Sequence, residues 1–409
     1  MRLSRLFLIY LLSTAAAVAT PFALYRIDYA RRRMIPVGSG PALEAAPLVL
    51  PVSNSGNSTY ALPACIAPDG TEYYGDRGYF YAYDQAGNKR YLTDDAWSSN
   101  FDSCAVRADG TVYLLADHNR EGSLSAYMRS GKLEWTISLP QAFSSVALSS
   151  SGIAYFVARQ QNGLNTLYAS NTDGSPRWEL PIGGNGGPQW VPASPAIGPG
   201  GTIYAISGDP VAPELIAVDT DGRRLWNAPL PARASQLIVG PDGRIFVHMP
   251  AGNVVAFDSR GKKLWEFHAN NRNNEGGIAL APDGTLYFAS NFVYALDAAG
   301  QTKWTFKSEF TYTRGDYFDK SPVVADDGTL YAVSYYQQLY ALTPDGRTKW
   351  HLSGEPTNIR TCWDQISLTP EGTLIATAGR LQVSSGLAKT GWPSKNLNNS
   401  NGRSQEAPQ

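Results

Sequence analysis

Apolar and polar residues alternate along this chain in short runs closed by glycine-containing turns. After the first thirty residues no long apolar stretch keeps helical spacing. Period-two alternation bounded by Asp-Gly predicts strands joined in hairpins, because the turn needs a positive φ that glycine supplies. One motif recurs along the whole body. Its copies are Pro68-Asp69-Gly70-Thr71-Glu72-Tyr73, Asp109-Gly110-Thr111-Val112-Tyr113 and the degraded Ser151-Gly152-Ile153-Ala154-Tyr155. They continue with Gly200-Gly201-Thr202-Ile203-Tyr204, Asp242-Gly243-Arg244-Ile245-Phe246 and Asp283-Gly284-Thr285-Leu286-Tyr287, and end with Asp327-Gly328-Thr329-Leu330-Tyr331 and Glu371-Gly372-Thr373-Leu374-Ile375. The motif glycines are spaced by 40, 42, 49, 42, 41, 44 and 44 residues.

Each copy continues alike. An apolar run ending near an acid follows, as in Ile216-Ala217-Val218-Asp219 and Val255-Ala256-Phe257-Asp258, then a second glycine turn, then an aromatic. Those aromatics are Tyr91, Trp135, Trp178, Trp226, Trp265, Trp304, Trp350 and Trp392. One repeat therefore reads as strand A, Asp-Gly turn, strand B, loop, strand C, glycine turn, strand D. Eight copies at this period predict an all-β, eight-bladed β-propeller of four-stranded antiparallel blades. Seven blades plus a closing segment is the competing count, since the eighth copy lacks a clear aromatic strand C. A four-stranded sheet cannot cover its own faces, so the strand-D Trp is expected to pack between neighbouring blades.

The repeat resembles the pyrroloquinoline-quinone (PQQ) repeat from about Tyr60 to Trp392. Leu339-Tyr340-Ala341-Leu342-Thr343-Pro344-Asp345-Gly346-Arg347-Thr348-Lys349-Trp350 is close to that family's strand C to strand D signature. The tail from Gly391-Trp392-Pro393 to Asn401-Gly402-Arg403-Ser404 is similar to segments that end such propellers. The resemblance extends to propellers of the outer-membrane β-barrel assembly machinery, which implies a protein-docking role. Catalytic members of the repeat family hold PQQ under a ring of adjacent cysteines, with calcium bound by Glu, Asn and Asp. No two cysteines here are adjacent and no motif matches the calcium ligands, so neither cofactor nor metal is expected; a quinoprotein dehydrogenase or a small-ligand sensor is the alternative.

The N-terminus differs in composition. Arg2 and Arg5 precede an uncharged run from Leu6 to Tyr25, the layout of a signal peptide or membrane anchor (residues 1–25). Ala17-Val18-Ala19 fits a cleavage site, whereas Arg26, Arg31, Arg32 and Arg33 follow the run and resist translocation. Residues 26–58, rich in Pro, Ala, Gly and Ser, read as a flexible tether; 59–393 is the propeller and 394–409 a tail. Export to the periplasm or another extracytoplasmic space is expected, with inner-membrane anchoring through residues 6–25 as one form of it.

Charge narrows the partners. With 34 basic and 35 acidic residues the formal net charge is −1, which argues against nucleic acid. An envelope protein or extended ligand fits better. Three cysteines, Cys65, Cys104 and Cys362, make no disulfide framework; buried thiols are the first expectation and a Cys65–Cys104 bridge the second. His118, His248, His268 and His351 lie in different repeats without metal-binding spacing. Asp219-Thr220-Asp221-Gly222 reads as a turn rather than a calcium loop. The loops from strand D into the next strand A vary most and should converge on one funnel mouth. From them the candidate binding residues are Asp102, Trp190, Arg272, Glu275, Arg314, Asp316, Lys320, Arg360, Trp363 and Asp364.

Overall fold

The computed structural model describes residues 24–28, 33–36 and, with interruptions, 65–386, the longest interruptions being 94–99, 140–143, 185–192, 270–275, 310–314 and 354–365. Within these residues the chain forms eight sheets in a ring. Blades 1 to 6 are four-stranded, running from Cys65–Ile66 in blade 1 to Thr302–Phe306 in blade 6, with every neighbouring pair antiparallel. Blade 7 begins at Val323–Val324 and its strand D is Thr348–Ser353. Blade 8 comprises Ser367–Leu368, Thr373–Ala376 and Gly379–Gln382. This eighth sheet overturns the seven-blade count: the missing strand-C aromatic did not prevent Leu374 and Leu381 from pairing and burying. Residues 1–23 of the expected N-terminal helix lie outside the described residues, and Leu24 and Tyr25 at its end are in a strand; among the described residues no helix is long and apolar enough to cross a membrane.

Two strands precede the ring. Strand β1 (Leu24–Asp28) pairs antiparallel with β2 (Arg33–Pro36) and parallel with strand D of blade 7, so that sheet has six strands.

The motif makes the A–B hairpin by one mechanism. In blade 1 the Gly70 N–H donates to Ala67 O and the Ala67 N–H to Thr71 O, while Asp69 Oδ1 accepts the Thr71 N–H at 3.0 Å. Gly70 stands at φ 73°, where a side chain would be strained. Asp109, Asp242, Asp283 and Asp327 do the same in their blades. In the degraded third copy Ser151 stands in the acid's place, and the Ile153 N–H is accepted instead by Ser149 Oγ at 3.0 Å, two positions earlier. Asp219 closes the C–D turn of blade 4 by accepting the N–H groups of Asp221 and Arg223, so its carboxylate belongs to the turn.

Neighbouring blades are joined by the aromatics. Trp135 donates its indole N–H to Thr172 O in the next blade, Trp178 to Thr220 O, Trp226 to Ser259 O, Trp265 to Ala298 O and Trp304 to Pro344 O. Each ring lies over the turn glycine of that blade: a Cβ on Gly261 would meet Trp226 at 2.6 Å and one on Gly300 would meet Trp265 at 2.5 Å. Each also rests on the motif aromatic of its own blade, as Trp226 does on Tyr204 at 5.9 Å. Trp226, Trp265 and Trp304 are half-buried and Trp350 is buried against Leu368, Leu374 and Leu381 of blade 8. The apolar core is thus distributed between blades rather than collected at one centre.

Blades 1 and 2 are joined differently. Cys65 and Cys104, on their adjacent strands A, form a disulfide with Cα atoms 5.9 Å apart, which corrects the expectation of free buried thiols. Asp69 adds an ion pair to Arg129 of blade 2.

Candidate functional site

Antiparallel order A to D places all A–B and C–D turns on one face and all B–C and D–A loops on the other. The turn face is occupied by its own hydrogen bonds and by ion pairs such as Lys349–Asp327 at 3.1 Å. The loop face is where side chains remain for other work, and its best described part lies at blades 6 and 7.

There the D–A loop leaving blade 6 packs on the B–C loop of blade 7. Asp316 is buried and ties them together: Oδ1 accepts the N–H groups of Tyr317 (3.0 Å) and Tyr336 (3.3 Å), and Oδ2 accepts the Ser308 hydroxyl. Tyr340 completes the set, its hydroxyl 2.9 Å from Ser308 Oγ and accepting the Glu309 N–H at 3.2 Å. The Tyr335 N–H donates to Tyr317 O at 2.7 Å, and the Tyr317 and Tyr335 rings stack with centroids 4.6 Å apart. Tyr336 meets Tyr335 edge-on at 5.2 Å. All three tyrosines are half-buried, so the loop contact presents a partly exposed aromatic cluster held by backbone hydrogen bonds.

Further along the same loop Lys320 pairs with Asp319 at 3.1 Å. Burial pushes the Asp319 carboxyl up while Lys320 opposes the shift, and Asp319 Oδ1 is a buried oxygen without a hydrogen-bond partner. Deeper in, Gln236 at the mouth of blade 5 accepts the Ile278 N–H at 2.8 Å and donates to Ile278 O at 3.0 Å, clasping strand A of blade 6. Gly277 allows this approach, since a Cβ there would lie 1.9 Å from Ser321 Oγ of blade 7.

Exposed Ser235 lies 2.7 Å from Nδ1 of His248, an arrangement that resembles half of a nucleophile–base pair. His248 is fully buried, burial holds its imidazole down at about 4, and its Nε2 has no hydrogen-bond partner. A base that weak, with no carboxylate orienting its second nitrogen, is poorly suited to activating a hydroxyl.

Of the residues singled out from sequence, Asp316 and Lys320 both lie in the D–A loop leaving blade 6, Asp316 bonded within the loop contact and Lys320 paired with Asp319. Asp102 lies in strand A of blade 2, at a register shift between Phe101 and Ser103. Trp190, Arg272, Glu275, Arg314, Arg360, Trp363 and Asp364 lie outside the described residues. Tyr335 and Tyr336 follow strand B of blade 7 and so belong to a B–C loop, outside the D–A loops that supply the sequence candidates. Strand order alone places B–C loops on the same face, and the adjacent tyrosines after strand B were the available signal.

The sequence matches the family described as "Outer membrane protein assembly factor BamB" over residues 76–248 and 250–403, nearly the whole ring. The chain belongs to that family. Among solved structures, BamB from Moraxella catarrhalis is similar at 19% identity and a TM-score of 0.50, covering 69% of this chain and 81% of that one. The Dos1 propeller is similar at 13% identity and a TM-score of 0.52, covering 77% and 90%. At these identities the likeness speaks for the propeller fold. No functionally curated protein matches the chain.

Proposed function

We propose that this BamB-family chain is an exported, non-catalytic propeller that acts as a docking scaffold for another envelope protein, held at the membrane by its apolar leader. Membership of an outer-membrane assembly family across nearly the full ring carries the reading. The Cys65–Cys104 disulfide supports the compartment, because such bonds persist in oxidising spaces and are rare in the cytosol. The docking surface is the loop face, with Tyr317, Tyr335 and Tyr336 as rigid aromatic anchors and Asp319 and Lys320 orienting the partner. Asp102, Trp190, Arg272, Glu275, Arg314, Arg360, Trp363 and Asp364 extend the surface, and neither a quinone nor a metal takes part.

The test is a crosslinking pull-down of the full-length protein from its native membranes, with its ultraviolet–visible spectrum recorded alongside. One protein captured in stoichiometric amount, with no absorbance beyond the aromatic band, is expected. In a Tyr317→Ala/Tyr335→Ala variant whose melting temperature is preserved, capture should weaken by roughly tenfold or more, the size of an interface anchor. Quinone absorbance, or capture indifferent to the tyrosines, would overturn the reading.

A further inference from the structure

The outer edges of blades 1 to 6 end at strand D among the described residues; blade 7 alone continues outward, because the chain's own N-terminal segment adds to it. Strand β1 runs parallel to strand D of that blade, with Leu24 opposite His351, Tyr25 opposite Leu352 and Arg26 opposite Ser353. Strand β2 returns alongside, its register setting Met34 opposite Ile27 and Arg33 opposite Asp28. Strand β2 also lies against Gly379–Gln382 of blade 8. The segment therefore bridges the rim of two blades.

The uncharged run Leu6–Tyr25 has about the length that spans a bilayer, and it ends inside β1. No spacer is left between a leader held in a membrane and the rim of blade 7. The Pro- and Gly-rich residues follow the hairpin instead, between Pro36 and the first strand of blade 1 at Cys65. The segment is basic by composition, with Arg26, Arg31, Arg32 and Arg33, as suits a stretch next to anionic headgroups.

We infer that the rim of blades 7 and 8 is the membrane-facing edge of the propeller, and that β1 and β2 are the clasp that fixes it there. This rests on the leader being retained, as proposed above. The propeller then stands with one rim on the bilayer and its loop face turned sideways, accessible to a partner embedded in or lying along the same membrane.

The experiment uses the full chain with Cys362→Ser, labelled with a fluorophore at Arg347→Cys on blade 7 or at Pro176→Cys on blade 3, across the ring. Both positions are exposed. In vesicles carrying headgroup-level quencher lipids, the blade 7 label should be quenched several-fold more than the blade 3 label. A flexible Gly-Ser spacer of ~20 residues inserted between Ala23 and Leu24, with a reach of about 25 Å, should erase the difference. Hydrogen exchange should show protected amides across Leu24–Asp28. Equal quenching at both sites, or coil-like exchange in β1, overturns the inference while leaving partner capture intact. Failure of the full chain to float with vesicles overturns the retained leader and the rim assignment together.

Discussion

His248 shows what one buried side chain does to this protein's response to acid. Its Nδ1 lies 2.7 Å from Ser235 Oγ, and its ring packs against Phe288 at 5.2 Å. Burial lowers the folded-state pKa to about 4 from an ordinary 6.5, so the unfolded chain takes up a proton the folded one refuses. Stability is unaffected above pH 6.5 and falls as pH drops from 6.5 toward 4, by up to about 3 kcal/mol. Chemical denaturation across that window should show the slope, and His248→Asn should flatten it. Cys65 and Cys104 act at the same scale. Their bond closes a loop of sequence separation 39, which stabilises by about 4 kcal/mol on chain-entropy grounds. Reduction or Cys104→Ser should lower the melting temperature, and a wild-type melt insensitive to reductant would contradict the bond. The bridge was hard to read from sequence for a definite reason. The two cysteines stand one residue out of step relative to Gly70 and Gly110, which would count against them in a paired ladder. Strands A of neighbouring blades are not hydrogen-bonded to each other but stand side by side around the channel, so the offset does not separate them.

At the scale of the element, the repeat was legible because a single mechanism recurs. Asp closes the turn, glycine takes the positive φ, and an aromatic three positions later supports a Trp that reaches into the next blade. The third copy tests that account: Ser151 stands in the acid's place, and the N–H after the glycine is accepted instead by Ser149 two positions earlier, so the hairpin survives a degraded motif. What the pattern did not carry was loop geometry, since Asp316 earns its place by backbone contacts to two segments twenty residues apart. The joint between Trp226 and Gly261 can be measured directly. Trp226→Ala should cost about 3 kcal/mol, the low end for a large aromatic because the ring is half-buried. Gly261→Ala should cost about 2 kcal/mol, from the strained φ of 82° and the clash with the indole. In the double variant the clash is gone, so the combined loss should fall below the sum; strict additivity would mean the two groups do not touch.

At the scale of the whole molecule, eight repeats leave one face of turns that satisfy themselves and one face of loops that differ. Period and strand order were enough to foresee the ring and the face on which differences collect. They could not identify which side chains on that face cooperate, because Tyr317, Tyr335 and Tyr336 come from two loops joined only in three dimensions. The capture experiment belongs to this scale, since an aromatic platform on a rigid disc should lose its partner without losing its fold.

The five tryptophan contacts from blade 2 to blade 7 all point the same way round, each blade giving an indole forward and offering a bare glycine back. Such a unit has a head and a tail, like a link in a necklace, and nothing in it records where the chain starts. The polypeptide could therefore be opened at another junction, for example at the exposed Pro231 between blades 4 and 5, and its old ends joined. Every one of those contacts would be retained in such a permuted chain, while the leader would emerge from a different part of the circumference.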